Sequence, residues 1–404
     1  MGKAICSRQA TKRDARLLVK AALSHKIPLI IGSSGGSGSD EGLAWLFDII
    51  KEILKEENLS AKVALIHSEQ DPRYVLSKLK KGKISPLDWN KQLDEKTILN
   101  SRHITAAMGP EPIQKAIRDG AQIVLCGRAT DTSVYAAVPL MLGCNPGPVW
   151  HASKIIECGA ACSFPKSHDS MVAHIDGDSF ILDPPNPIKH VRRVNAAAHT
   201  LYENVNPFQI TEPDGIIDVQ QCTYEQIDDR RVKVTGSRFL PKPYSVKLEG
   251  VESLGFRAIT IGGTHDPGLI SILDEYLEKI RRTTNERVKD VLGLDPDAYK
   301  ITFFRYGRDG VMGSMEMNPG PATEIGIVVD IVAPTQDTAN VIVGIARSLI
   351  LHTDFEGRRC NAGNIAFPFS PTDIPVGEVF RFNMNHVIWI DDPLEPFRIE
   401  MVEC

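Results

Sequence analysis

Three short stretches hold side chains whose types and spacing suit chemistry. The first is Cys126-Gly127-Arg128-Ala129-Thr130-Asp131, where a guanidinium and a carboxylate stand three residues apart after an apolar run. Arg128 is the residue type for bidentate binding of a carboxylate or phosphate. Asp131 can act as a base, orient Arg128, or cap the helix that follows. The second is Glu157-Cys158-Gly159-Ala160-Ala161-Cys162, a carboxylate beside a thiol. It suits acid–base work or nucleophilic attack, with Cys158 and Cys162 spaced to share a helical face and Cys162 reading as an inert small hydrophobe. The third, residues 352–361, packs His352, Asp354, Arg358, Arg359, Cys360 and Asn361 behind a strongly apolar helix. A polar loop in that position is expected to serve a site.

Elements must hold these groups, and the most legible runs from residue 27 to 53. Leu29, Ile30 and Ile31 form a buried strand, and Leu43, Leu46, Phe47, Ile50 and Leu54 follow at helical spacing. Between them lie Gly32, Ser33, Ser34, Gly35, Gly36, Ser37 and Gly38, with Ser39 or Asp40 as N-cap. Such a loop aims free backbone N–H groups and the positive end of a helix dipole at one point, suited to a carboxylate or phosphate. The run lacks both the dinucleotide fingerprint and the Lys-Ser/Thr ending of a P-loop.

Downstream, residues 61–67 and 122–126 predict strands, and 74–81, 110–120 and 132–142 predict helices, with 104–108 a short strand or turn. Strands alternating with helices imply a mostly parallel sheet covered on both faces, with ligands beyond the carboxyl ends of the strands. Residues 32–40 and 127–131 both occupy that address. A hairpin is expected over 171–182, and the Pro-rich run 183–190 reads as a boundary. Strands at 256–262, 300–306, 324–332 and 386–390, with helices at 267–288 and 335–351, give the order βαββαβ of a ferredoxin-like motif. The expected fold is therefore α/β: a mostly parallel three-layer N-terminal domain (1–188), a mixed connecting region (189–255), and an α+β ferredoxin-like region (256–404).

Composition narrows the function classes. With 42% hydrophobic and 24% charged residues the chain reads as an ordinary globular protein, and a net charge of −5 without a long basic run argues against nucleic acid. No apolar run is long enough to span a bilayer. Eight scattered cysteines without a C-x-x-C pair suggest free thiols in a reducing, cytoplasmic setting. No cofactor is called for by a motif. Cys126, Cys158 and Cys360 gathering around an iron–sulfur cluster, or a site for a divalent metal, is the minority alternative. His67, His103 and His174 lack ligand spacing and read as ordinary histidines.

Residues 32–44 (GSSGGSGSDEGLA), 119–140 (DGAQIVLCGRATDTSVYAAVPL) and 153–164 (SKIIECGAACSF) resemble the acyclic terpene utilisation (AtuA) family. The resemblance places its Gly-rich loop at 32–40, its GR-x-x-D motif at Gly127, Arg128 and Asp131, and its ECGA motif at 157–160. The segment RRCNAGN (358–364) resembles the shorter branch, whose members resemble proteins encoded beside a small companion polypeptide, which implies a hetero-oligomeric assembly. The resemblance implies a catabolic setting.

Three functions compete on this reading. The leading one is a hydro-lyase (hydratase or dehydratase) acting on a small unsaturated or branched di- or tricarboxylate or its CoA ester. In it the Gly/Ser loop and Arg128, with Arg358, Arg359 and Asn361, bind the anion; Asp131, Glu157 or Asp354 moves the proton, with Cys158 or Cys360 nearby. The others are a cysteine-dependent acyl or amide hydrolase and a non-catalytic subunit that binds an acyl-CoA or nucleotide.

Overall fold

Alternation along two short strands organises the first half of the chain. In a computed structural model that describes residues 4–87, 91–317 and 320–404, Val63, Leu65, Ile123 and Leu125 join one apolar cluster, while Ala64, Ile66, Val124 and Cys126 join another. A period of two puts successive side chains on opposite faces, so this sheet is buried on both. The first cluster includes Ala15 and Val19 of the helix Arg8–His25 and Leu43, Leu46, Ile50 and Leu54 of the helix Asp40–Glu57. The second includes Ile113 and Ala116 of the helix Pro110–Arg118. The strands run in the order Leu29–Ile31, Ile123–Cys126, Lys62–His67 and Arg398–Glu403; the first three are parallel and the last is antiparallel.

The chain is mixed α/β and divides into two compact units, Met1–Val251 with Phe382–Cys404, and Glu252–Arg381. The sequence placed divisions after 188 and 255. The Pro-rich run before 190 lies inside the first unit. There Lys189 is fully buried, its Nζ donating to the carbonyls of Pro165 (2.6 Å) and Ser167 (3.2 Å), and His190–Val191 pairs with Ser163–Phe164. The first unit also holds the expected hairpin, Val172–Asp176 with Ser179–Asp183. Of the 104–108 segment, residues 104–106 end a longer strand, Ser101–Ala106, which pairs with the long strand Ser245–Thr264, while Met108 makes an isolated parallel bridge to Ala129.

In the second unit the element order is strand, helix, strand, strand, helix, strand. The strands are the later part of Ser245–Thr264, then Lys300–Tyr306, Ile325–Ala333, and the earlier part of Asp373–Trp389. Ile325–Ala333 pairs antiparallel with both of its neighbours. The helix expected over 267–288 is two helices, Pro267–Ser271 and Leu273–Leu292, because Ile272 leaves helical geometry at φ −109°, ψ 15°. Among the described residues no helix is long and apolar enough to cross a membrane.

Candidate functional site

Three loops at the carboxyl ends of the parallel strands meet in the first unit. The glycine loop follows Leu29–Ile31, Glu69 follows Lys62–His67, and Arg128 follows Ile123–Cys126. Backbone bonds weld them together. Ser34 donates from N (3.1 Å) and Oγ (2.6 Å) to the carbonyl of Cys126, and Ser68 Oγ donates to the carbonyl of Arg128 (2.9 Å). The close approach requires glycine at Gly38, whose φ is +68° and whose added Cβ would lie 2.3 Å from the Arg128 nitrogen.

Together they open a cavity of about 340 Å³ lined by Ser33, Gly36, Ser37, Ser39, His103, Thr105, Arg128, Asp131, Glu249, Val251 and Phe382. Arg128 is its cation and is firmly held. Its Nε donates to Glu249 Oε2 (2.7 Å), and its Nη1 to Ser33 Oγ (2.9 Å) and Asp131 Oδ1 (3.3 Å). Burial works against the charges of both partners, but each outweighs that for the other: Arg128 stays above its ordinary pKa, and Arg128 with Lys247 holds Glu249 below its own. Arg128 Nη2 has no protein partner among the described residues.

The helix dipole is used differently from the expectation. Ser39 is the N-cap of Asp40–Glu57, accepting from Gly42 N. The Asp40 N–H at that terminus donates to Glu69 Oε2 (3.0 Å), so a carboxylate of the chain itself takes this end. Glu69 Oε1 accepts in turn from His103 Nδ1 (2.5 Å). This fixes the imidazole tautomer and leaves Nε2, on a side chain lining the cavity, as the ring's basic atom. A parallel pair, His67 Nδ1 with Asp40 Oδ1 (2.7 Å), has its Nε2 taken by Arg398 (2.9 Å).

Of the residues singled out in the sequence, Ser33, Gly36, Ser37, Arg128 and Asp131 line this cavity. Ser34, Gly35 and Gly38 shape the loop instead: Ser34 is buried, and Gly35, at φ +68°, lies against Gly42 of the following helix. Asp131 is in the first turn of the helix Asp131–Met141, and Thr130 is its cap. Capping is therefore not its role, and its contact with Arg128 remains. Thr105, Glu69 and Glu249 were not picked out, and His103 was read as an ordinary histidine. The one sequence signal was position, since Glu69 lies just past a parallel strand and His103 just before an apolar run.

Glu157 and Cys158 do not line this cavity. Glu157 is buried against Lys154 (Oε1 to Nζ, 2.6 Å), and desolvation pushes its pKa up. Cys158 and Cys162 do not share a helical face, because the helix Pro146–Ile156 ends before them and Gly159 turns the chain at φ +58°. Cys158 is exposed, and desolvation with Glu157 beside it pushes its thiol up; Cys162 is buried and pushed up to about 11. At the start of the helix Asp131–Met141 lies Glu212, buried and pushed up to about 8 by desolvation, accepting from Thr132 Oγ1 at 2.8 Å.

In the second unit Arg358 and Cys360 line another cavity, of about 260 Å³. Asp354, Arg359 and Asn361 are exposed and do not line it. The gathering of Cys126, Cys158 and Cys360 around a cluster is not formed: Cys126 is fully buried in the first unit's core, its thiol pushed up to about 12 by desolvation. Among the described residues no group of three or more His, Cys, Asp or Glu is placed to hold a metal ion.

No curated protein and no solved structure matches the chain. A family profile described as acyclic terpene utilisation family protein AtuA matches residues 16–353, a span that includes the glycine loop, the Arg128–Asp131 corner and His103. The chain belongs to the acyclic terpene utilisation family.

Proposed function

We propose that the first unit's cavity is the active centre of a hydro-lyase acting on a small carboxylic acid. One observation carries the reading: His103, held by Glu69 with Nε2 unpartnered, and Arg128, with Nη2 unpartnered, line the same cavity. Arg128 would bind the substrate carboxylate. His103 Nε2 would then remove the proton from the carbon next to that carboxylate. As the double bond forms, the β-hydroxyl leaves with its electron pair and takes the proton back from the imidazolium, so that water departs. Hydration is the reverse. The Ser33, Ser37 and Thr105 hydroxyls would hold the hydroxyl group, and Val251 and Phe382 supply apolar lining.

The cavity's size and charge narrow the substrate. The lining charges are one cation, Arg128, and two carboxylates, Asp131 and Glu249. That balance favours one free carboxylate over the several phosphate charges of a CoA ester. The family's name supports a catabolic role, and the shorter-branch resemblance supports assembly with a small companion polypeptide. We read the doubly covered sheet as three-layered and the second unit's strand order as ferredoxin-like.

Turnover is to be measured by loss or gain of the double bond in a panel of unsaturated and 3-hydroxy acids, with and without the companion. The expected result is turnover that falls about 10²-fold or more in His103→Gln, with Arg128→Lys raising KM. Binding of the acids without turnover under either condition would point to a carrier subunit, and nucleotide hydrolysis in their place would overturn the reading.

A further inference from the structure

The loop between the helix Gln336–His352 and the strand Asp373–Trp389 builds a pocket that the proposed hydro-lyase chemistry does not use. It is lined by Thr264, His265, Asp266, Phe355, Arg358, Cys360 and Asn364, among others. The pocket's walls are fixed. Gly263 and Ala366 exchange backbone hydrogen bonds (2.9 and 2.8 Å), and Asn364 Nδ2 donates to Tyr276 Oη and to the Thr353 carbonyl, each at 2.7 Å.

Two of its lining side chains carry unpaired polar atoms. Asn364 is nine-tenths buried, yet its Oδ1 has no hydrogen-bond partner, and Arg358 Nε is equally buried and alone. Buried polar atoms are nearly always paired, and two of the unpaired ones among the described residues belong to side chains that line this cavity. Arg358 itself is weakly held: its Nη1 lies 3.8 Å from Asp354 Oδ1 and 3.4 Å from the His352 carbonyl. The guanidinium is therefore available to an incoming anion. Cys360 lies on the same wall, with its thiol exposed.

We propose that this pocket is a nucleophilic thiolate site that takes a small carboxylate-bearing electrophile, Arg358 binding the carboxylate and Cys360 Sγ attacking the electrophilic carbon. One carbon–sulfur bond forms, and the bond to the leaving group breaks with the electron pair going to that group. The attacking species is available: the backbone N–H groups of Gly363 and Ala362, with Arg358 beside them, hold the Cys360 thiol below its ordinary value. Desolvation and the neighbouring Glu157 move Cys158, also exposed, the opposite way.

Iodoacetate and iodoacetamide are the probes, since they differ in a single charge and leave iodide behind. Full-length protein is labelled for short times and each cysteine followed by peptide mass spectrometry. The expected result is that iodoacetate labels Cys360 severalfold faster than Cys6 or Cys158, and that the iodoacetate-to-iodoacetamide rate ratio at Cys360 exceeds that of free glutathione. Arg358→Gln should abolish this anion preference while Arg358→Lys keeps part of it, and Cys360→Ser should remove the fast label. Cys360 reacting no faster than the other exposed thiols, or an unchanged ratio in Arg358→Gln, would overturn the proposal. Neither outcome bears on the His103 reading.

Discussion

Two arginines illustrate opposite ways of building a polar cavity. Arg128 is locked by Glu249, Ser33 and Asp131, its backbone carbonyl accepting from both Ser68 Oγ and Met108 N. Arg358 has a distant carboxylate, one long bond to a carbonyl and a buried nitrogen with no partner. A tightly held guanidinium stabilises the fold and presents one predetermined edge. A loosely bonded one contributes little to stability and keeps its capacity for a ligand. The glycines repeat the contrast: Gly38 is wedged against the Arg128 backbone, whereas an added Cβ at Gly357 would meet nothing within 4 Å.

The contrast is open to measurement, beginning with the largest effect. Arg128→Met leaves the Glu249 carboxylate buried without its main partner, and should lower unfolding free energy by about 3–5 kcal/mol in urea titrations. In the wild type, the depressed pKa of Glu249 contributes stability that is present above the ordinary 4.5 and is lost as pH falls through the lower folded value. That acid-side loss should shrink in Arg128→Met.

Glu212 gives the opposite slope. Its pKa is raised to about 8 from 4.5, so its protonated form stabilises the fold below pH 4.5, and that contribution is lost as pH rises through 8. The loss should be on the order of a few kcal/mol, and Glu212→Gln should flatten Tm against pH across that window. A Tm profile unaltered by the substitution would show that the carboxyl is not held neutral.

Smaller effects separate the two loops. Gly38→Ala combines a left-handed backbone with a clash and should cost about 2 kcal/mol or more. Gly357→Ala, at φ +81° in open space, should cost about 1 kcal/mol from backbone conformation alone. Arg358→Gln should change stability by less than about 0.5 kcal/mol. Equal costs for the two arginine substitutions would erase the distinction between a locked and a loose guanidinium.

Local signals survived the passage from chain to fold unevenly. The glycine loop, its strand and its helix lie where glycine content and 3.6-residue spacing put them, because each depends on neighbours within a few residues. The long strands Ser245–Thr264 and Asp373–Trp389 were read only as fragments. Gly250 and Gly255 interrupt the first, and its continuity comes from pairing with distant strands. His103 read as ordinary for a similar reason: its partner Glu69 is 34 residues away, so no spacing rule links them.

The sequence by itself determined the family, the α/β character, and the address of the first unit's cavity beyond the ends of parallel strands. These rest on local propensity, periodicity and motif. Only the tertiary structure decided which charges meet. Glu249, 121 residues from Arg128, neutralises it, and Glu69 takes the helix terminus at Asp40. Contacts between residues far apart in the chain depend on packing, and packing leaves no periodic trace in the order of residues.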